Sequence, residues 1–287
     1  MDIAVVGAGR VGTALAVLWA KAGHTITAVS GRAATRERAE RYLPGVPLAD
    51  AATAPRDADV VVIATPDVAI AAACADIAGG GNLAPGTAVA HVSGATGLEA
   101  LDAARSAGAT TLSLHPLQTC PTVEAALERL PGATFAVTSG TPDGLEVGER
   151  LALDAGGRPF ELDDAAKGLY HAAAVFASNY LVTITALAEE LERAAGVPDP
   201  AGALAPLQEA TMANVARVGP AEALTGPAVR GDAGTVARNL EALARDAPQA
   251  VRPYVVLADV ALDLAERSGR LAAEGRDAVE EVLARWR

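Results

Sequence analysis

The chain has 287 residues, 51% hydrophobic but only 3% aromatic, with a formal net charge of −12. That apolar fraction excludes a disordered chain, and an acidic balance without a cationic stripe argues against nucleic acid or an anionic membrane surface as partner. Cys74 and Cys120 offer neither a disulfide framework nor metal-ligand spacing, so both are expected to act as small buried hydrophobes and no metal is expected.

Residues 3–6 form a β-branched run with no basic or long apolar leader before it, so a cytoplasmic location is expected. Further strand-like runs cover residues 25–30, 59–64, 88–92, 110–114 and 134–137, with a short one near 158–162. Alanine-rich segments of helical period, such as 11–22 and 68–78, lie between them. This alternation predicts an α/β fold, a doubly wound parallel sheet covered on both faces.

Gly7-Ala8-Gly9-Arg10-Val11-Gly12 joins the first strand to the first helix. Gly7 permits a tight turn, Gly9 admits a pyrophosphate close to the backbone, and Gly12 lets the helix pack on the sheet. The helix N-terminus adds free N–H groups for an anion, so a dinucleotide is the expected ligand. At the end of the second strand an acidic residue would bind a ribose 2′-hydroxyl. Here the residues are Ser30-Gly31-Arg32, with Arg36 and Arg38 just beyond. A hydroxyl and a guanidinium suit a 2′-phosphate, so NADP is expected ahead of NAD. The other reading of the arginines is a solvated helix start. Ala64-Thr65-Pro66 follows the third strand and is expected to face the cofactor, with Thr65 either touching the nicotinamide side or capping a helix.

Two polar loops end later strands: His91 to Gly97, and Ser113 to Cys120. Both should open on the edge that carries the glycine loop. Ser93, Gly94, His115 and Gln118 are the expected substrate contacts there. His91 and His115 could instead be structural hydrogen-bonding groups.

From Asp163-Asp164 onward no strand is predicted. Helices are expected over residues 165–195, 200–217, 234–245, 251–268 and 276–286. The chain therefore divides into a dinucleotide-binding domain, 1–162, and an all-α substrate and dimerisation domain, 163–287. The apolar run 172–188 is expected to be a buried helix rather than a membrane span. Only Lys21 and Lys167 are lysines in a chain otherwise served by arginine. Lys167 opens the long helix, and His171 lies one turn later on the same face. Lysine can be tuned to release a proton, which makes Lys167 and His171 the candidate catalytic pair, with Ser178 further along the column and Asn179, slightly off it, an expected substrate contact. The plainer reading is a helix-start cation and a core histidine. Arg230, in the loop 224–232, could hold a substrate carboxylate or tie the loop to an acid such as Asp232, which could cap the next helix.

With these residues in view, the chain resembles the NADP-dependent oxidoreductases that join a Rossmann domain to an all-α domain. Members include 6-phosphogluconate, 3-hydroxyisobutyrate, ketopantoate, pyrroline-5-carboxylate and prephenate dehydrogenases or reductases. His91-x-Ser93-Gly94, His115-Pro116-Leu117-Gln118-Thr119, Tyr170-His171-Ala172-Ala173 with Asn179, and Thr225-Gly226-Pro227 with Arg230-Gly231-Asp232 resemble a bacterial branch whose C-terminal half is a domain of unknown function. The resemblance covers nearly the whole chain. It implies an interdomain cleft and a homodimer formed through the helical domain. Several hydroxyacid members carry Lys-x-x-x-Asn on a helix, whereas this chain has Lys167-x-x-x-His171.

The expected activity is hydride transfer between NADPH and a small carboxylate-bearing carbonyl compound. A ketopantoate-type 2-keto acid is the first choice of substrate and an imino acid the second. Lys167, helped by His171, would protonate the product while Ser93, His115 and Gln118 orient the substrate. A regulator that senses NADP without chemistry is the rival from another class.

Overall fold

A computed structural model describes residues 1–287. The first part alternates strands and helices: β1 (Asp2–Val6), α1 (Arg10–Lys21), β2 (Thr25–Ser30), α2 (Ala33–Tyr42), β3 (Val60–Ile63), α3 (Ile70–Gly79), β4 (Ala88–His91) and α4 (Asp102–Ser106). It continues through β5 (Thr110–Pro116), α5 (Val123–Arg129), β6 (Thr134–Ser139), α6 (Pro142–Asp154), β7 (Arg158–Glu161) and α7 (Lys167–Ala177). The helical remainder is α8 (Asn179–Ala194), α9 (Pro200–Ala223), α10 (Ala233–Asp246), α11 (Val251–Arg267) and α12 (Ala273–Ala284).

The seven strands form one sheet in the order β2-β1-β3-β4-β5-β6-β7. The order reverses direction at β1, because β2 lies on one side of it and β3 on the other. Such a switch point opens a crevice beyond the carboxyl ends of the strands. The central strands are apolar on both faces: β3, Val60 to Ile63, is buried throughout. Helices therefore cover both sides of the sheet. Ile3, Val5, Leu15, Trp19 and Phe135 belong to one core and Ile63, Ile70, Ile77 and Leu101 to the other. Each such fully buried side chain contributes about 1.5–3 kcal/mol relative to exposure. Trp19 also donates from Nε1 to the buried carbonyl of Leu151 at 2.8 Å, tying α1 to α6.

The sheet departs from the all-parallel expectation at one pairing, because β5 and β6 run antiparallel. β6 begins where β5 ends, with Phe135 opposite Pro116. A parallel β6 would need a crossover back along the sheet. The connection instead stays on the side where β5 leaves, where short α5 packs against α1.

The chain divides into two compact units, Met1–Asn179 and Tyr180–Arg287. The first extends past the sheet and past the expected boundary at residue 162, because α7 is bonded to the sheet edge. Asp164 accepts from the backbone N–H of Leu98 at 3.1 Å, and Lys167 and Tyr170 make the bonds described below. The expected single helix over 165–195 is two helices, with Ser178 at φ −126°, ψ −69° between them. Residues 164–194 are apolar and long enough in total to cross a membrane. The break leaves pieces of 11 and 16 residues, each shorter than the roughly 20 a span needs. The expectation that residues 172–188 are buried is not met: α7 buries only Lys167, and α8 buries no residue.

In the second unit α10, α11 and α12 share a core of Val236, Leu240, Val255, Leu262, Val279 and Leu283. Asp232 caps α10 as expected, accepting from Thr235 N–H at 3.0 Å. Arg270 donates to the carbonyls of Ala221 and Leu224 at the C-terminal end of α9, at 2.6 and 2.8 Å. Cys74 is buried, Cys120 is partly buried, and burial pushes both thiols up, away from the reactive thiolate.

Candidate active site

Strand register builds the site. Ser30, Val6, Ile63, His91 and Ser113 stand side by side across β2, β1, β3, β4 and β5. The residues that follow the first four leave their strands at the rim of the crevice, Gly31, Gly7, Ala64 and Val92, while β5 runs on to Pro116. Every segment singled out in the first half of the sequence therefore emerges along one line. From β1 to β5 that line spans three strand spacings, about 14 Å.

On the β1 side, Gly7 has φ +93°, and a Cβ there would lie 2.7 Å from the backbone of Ala64 and Thr65. The turn can be closed only by glycine. α1 starts at Gly9 with no side-chain cap and no acidic residue in its first turn. Its N–H groups and positive dipole end are thus left for an anion. Arg10 reaches across to the Pro121 carbonyl at 3.1 Å, and Arg38 donates to the Ala8 carbonyl at 3.0 Å, bracing the glycine loop. Beyond Ser30, a surface groove is lined by Gly31, Arg32, Thr35, Arg36 and Leu48. α2 also begins there, likewise without a side-chain cap or an acid in its first turn.

Thr65 does not cap a helix. Pro66 occupies the cap position of the short turn Asp67–Ala69, which no side chain caps. The Thr65 hydroxyl is buried without a partner. An orphaned buried hydroxyl beside the glycine loop points to a ligand group that completes it.

On the β4–β5 side lies a cluster of titratable groups. Lys167 is 1% exposed. Its Nζ donates to Ser113 Oγ at 2.7 Å and to the Ser93 carbonyl at 3.1 Å. Burial pushes this ammonium down to about 8, with Asp164, Asp67 and Glu99 pulling it back up. Burial, and then the Lys167 charge, push His91 and His115 each down to about 4, so both are neutral near pH 7. His91 is fully buried and accepts from the Ser93 N–H at 3.2 Å, which makes it a support for the Ser93 loop. His115 stands above the rim, its Nδ1 3.0 Å from Tyr170 Oη. A Cβ on Gly94 would lie 2.7 Å from the His115 ring, so Gly94 is the seat of that ring. The His171 ring centroid is 6.5 Å from that of His115, and its Nδ1 is buried without a partner.

The structure thus brings together Gly94, His115, Lys167 and His171. The Ser93 hydroxyl is turned inward, accepting from the Ala95 and Thr96 N–H groups at 3.2 and 3.0 Å. Gln118 is exposed and accepts from the N–H of Thr119 at 2.8 Å. Asn179 follows the break at Ser178, so it does not continue the Lys167–His171 column. Arg230 is exposed in the second unit, where hydrogen bonds from the Thr235 hydroxyl and N–H hold the Asp232 carboxyl below the usual range and the Arg238 and Arg230 charges add to them. Ser113 and Tyr170 are site residues to which the sequence assigned no role beyond membership of a loop and a motif. Tyr170 had one signal: it lies three residues after Lys167, within reach of the same helix face.

Residues 1–116 match the model of a Rossmann-like domain, and residues 133–261 match a domain of unknown function, DUF2520. No curated protein matches the chain. Among solved structures, a candidate NADP oxidoreductase from Bacteroides fragilis (BF3122) is similar at 23% identity and TM-score 0.74, over 91% of this chain and 98% of that one. Protein TM1727 from Thermotoga maritima is similar at 22% identity and TM-score 0.73, over 94% and 100%. An imine reductase from Myxococcus stipitatus, solved with NADP+, is similar at 19% identity and TM-score 0.62, over 100% and 99%. These likenesses establish a Rossmann-like sheet followed by a helical region as a shared architecture.

Proposed function

We propose that this chain is an NADP(H)-dependent oxidoreductase that reduces a small carbonyl compound bearing a carboxylate, a ketopantoate-type 2-keto acid being the first choice. The observation that carries the reading is the common rim: the glycine loop and the Lys167–His115 cluster open on one edge of one sheet. The residues present fit the dinucleotide. Gly7, Ala8, Gly9, Arg10, Val11 and Gly12 would hold the pyrophosphate against the uncapped start of α1. Ser30 and Arg32, joined by Arg36 in the groove, would hold a 2′-phosphate. Ala64, Thr65 and Pro66 would meet the nicotinamide side, where the Thr65 hydroxyl lacks a partner.

When bound, the cofactor supplies hydride. Lys167, seconded by His171, supplies the proton that neutralises the developing oxyanion. His115 orients the carbonyl. The imine reductase among the similar structures supports an imino acid as the second reading. A homodimer through the helical region is part of the proposal. Neither α8 nor α9 buries a residue in the single chain, although Val182 and Leu207 are 68% and 64% exposed. A second copy would cover such apolar faces; a 28.8 kDa particle by light scattering would count against it. A reducing, cytoplasmic setting suits the two free thiols.

The experiment is to follow NADPH absorbance with a panel of 2-keto and imino acids. Oxidation with a keto acid supports the reading. Tight NADPH binding with no oxidation across the panel would replace the enzyme with a sensor. No dinucleotide binding at all would overturn both.

A further inference from the structure

The contacts of His115 fix more than its position. Its ring face lies on Gly94, and Tyr170 meets it edge to face, with centroids 5.5 Å apart and planes at 89°. Phe160 packs 6.0 Å from the centroid of Tyr170 and steadies the phenol. Tyr170 Oη makes one hydrogen bond, to His115 Nδ1 at 3.0 Å. His115 Nε2 has no partner in the protein, yet it is not among the sealed polar atoms. We propose that Tyr170 is a positioning residue that holds His115 in the Nε2–H tautomer, so that His115 offers a hydrogen-bond donor to an oxygen of the substrate.

The direction of the Tyr170–His115 bond follows from the two groups. A phenol is a good donor, and its oxygen is a weak acceptor because a lone pair is delocalised into the ring. The imidazole lone pair is the stronger acceptor. Tyr170 has no second acceptor for its proton, so that proton lies toward Nδ1. A neutral imidazole carries one proton, so it must then be on Nε2. Burial keeps both groups in these neutral forms, pushing Tyr170 up to about 12 and His115 down to about 4. His171, with its ring centroid 6.5 Å away, bonds neither nitrogen of His115.

A specificity follows, which rests on the reductase reading. An Nε2–H donor needs a lone pair opposite it. Because His115 orients the reacting group, the discrimination falls there: a carbonyl oxygen supplies that lone pair, whereas a protonated iminium nitrogen does not. The site should therefore take keto acids ahead of protonated cyclic imines.

The tautomer is read directly by long-range ¹H–¹⁵N correlation of the histidine rings. In the wild-type protein at neutral pH, His115 should show a protonated Nε2 and an unprotonated Nδ1. Tyr170→Phe should give a tautomer mixture while NADPH affinity and the circular dichroism spectrum stay unchanged. A wild-type protein with the proton on Nδ1, or a Tyr170→Phe protein with unaltered tautomer, overturns the proposal. The wild-type spectrum decides even if Tyr170→Phe fails to fold. Tyr170→Phe should also lower kcat/KM for keto acids about tenfold, the size of one lost hydrogen bond in a binding step. A changed tautomer with unchanged kcat/KM would overturn the substrate contact. If no substrate is reduced at all, the reductase reading fails and the tautomer assignment is still judged by the spectrum.

Discussion

Lys167 Nζ and Ser113 Oγ are 2.7 Å apart, and that bond joins the first turn of α7 to the middle of β5. Both residues are closed to solvent. The ammonium is bonded to a hydroxyl and a backbone carbonyl but to no carboxylate. A cation buried this way costs stability unless it can lose its proton.

The pH dependence of stability follows with a definite sign. The lysine titrates near 10.5 when unfolded and near 8 when folded. Below pH 8 both states hold the proton, and the burial cost is present in full. Between 8 and 10.5 only the unfolded state holds it, so stability rises with pH through that window. The full gain is on the order of 3 kcal/mol. Denaturant melts of wild type should show this rise and Lys167→Met should not. His91 and His115 shift in the same direction, from 6.5 to about 4, so stability should fall as pH drops through that range. Because the Lys167 charge contributes to both shifts, Lys167→Met should narrow the acid window. A wild-type curve flat above pH 8 would contradict the burial of a titrating lysine.

Catalysis should respond to the same group. If the Lys167 ammonium delivers the proton, the reduction rate falls as pH rises through about 8. Lys167→Met should lower kcat by at least about 100-fold, the usual range for a general acid. His171→Ala should lower it less while leaving NADPH affinity unchanged. Steady-state rates across pH for all three proteins check this, and full turnover in Lys167→Met would remove the lysine from the mechanism.

The parts of this molecule that were legible in its sequence are those set by local rules. The β-branched runs gave the strands within one or two residues, and the glycine loop declared its own turn. What escaped depends on partners far along the chain. The direction of β6 is decided by where its connection leaves the sheet, not by its own residues. The break at Ser178 has no glycine or proline to mark it. The role of Tyr170 needs His115, 55 positions away, brought over α7 by the sheet. Thr65 has the chemistry of a cap because threonine caps helices, but Pro66 takes the cap position of the turn that follows. Lys167 was legible for the opposite reason: in a chain with two lysines, its placement stood out against the arginine background.

Cofactor choice has a separate test in the groove at the start of α2. Arg32 and Arg36 line it, and neither has a carboxylate partner. Replacing Arg32 with alanine should weaken NADPH binding about tenfold or more, since a charge-assisted hydrogen bond contributes about 1.5–3 kcal/mol. NADH, lacking the 2′-phosphate, should bind equally well to both proteins. Fluorescence titration with each nucleotide measures the two affinities. Equal losses for NADPH and NADH would mean that Arg32 supports the loop rather than reading the phosphate.

The glycine loop offers the sharpest substitution. Gly7 lies at φ +93°, and an added Cβ would stand 2.7 Å from Ala64 C and Thr65 N and 2.8 Å from Thr65 Cγ2. The left-handed backbone alone costs an alanine about 1–2 kcal/mol. The clash is with backbone, which cannot rotate away, so the β1 turn or the Ala64–Thr65 turn must move. Either movement disturbs the crevice where the pyrophosphate and nicotinamide would lie. Gly7→Ala should therefore lower the thermal midpoint by several degrees and abolish dinucleotide binding together. Gly9→Ala separates the two effects: φ at Gly9 is −77°, and its nearest contact for a Cβ is the Gly7 carbonyl at 3.8 Å. That protein should melt like wild type yet bind NADPH poorly, because the added methyl stands where the phosphates approach the backbone. Wild-type affinity in Gly9→Ala would mean that the dinucleotide does not cross this loop.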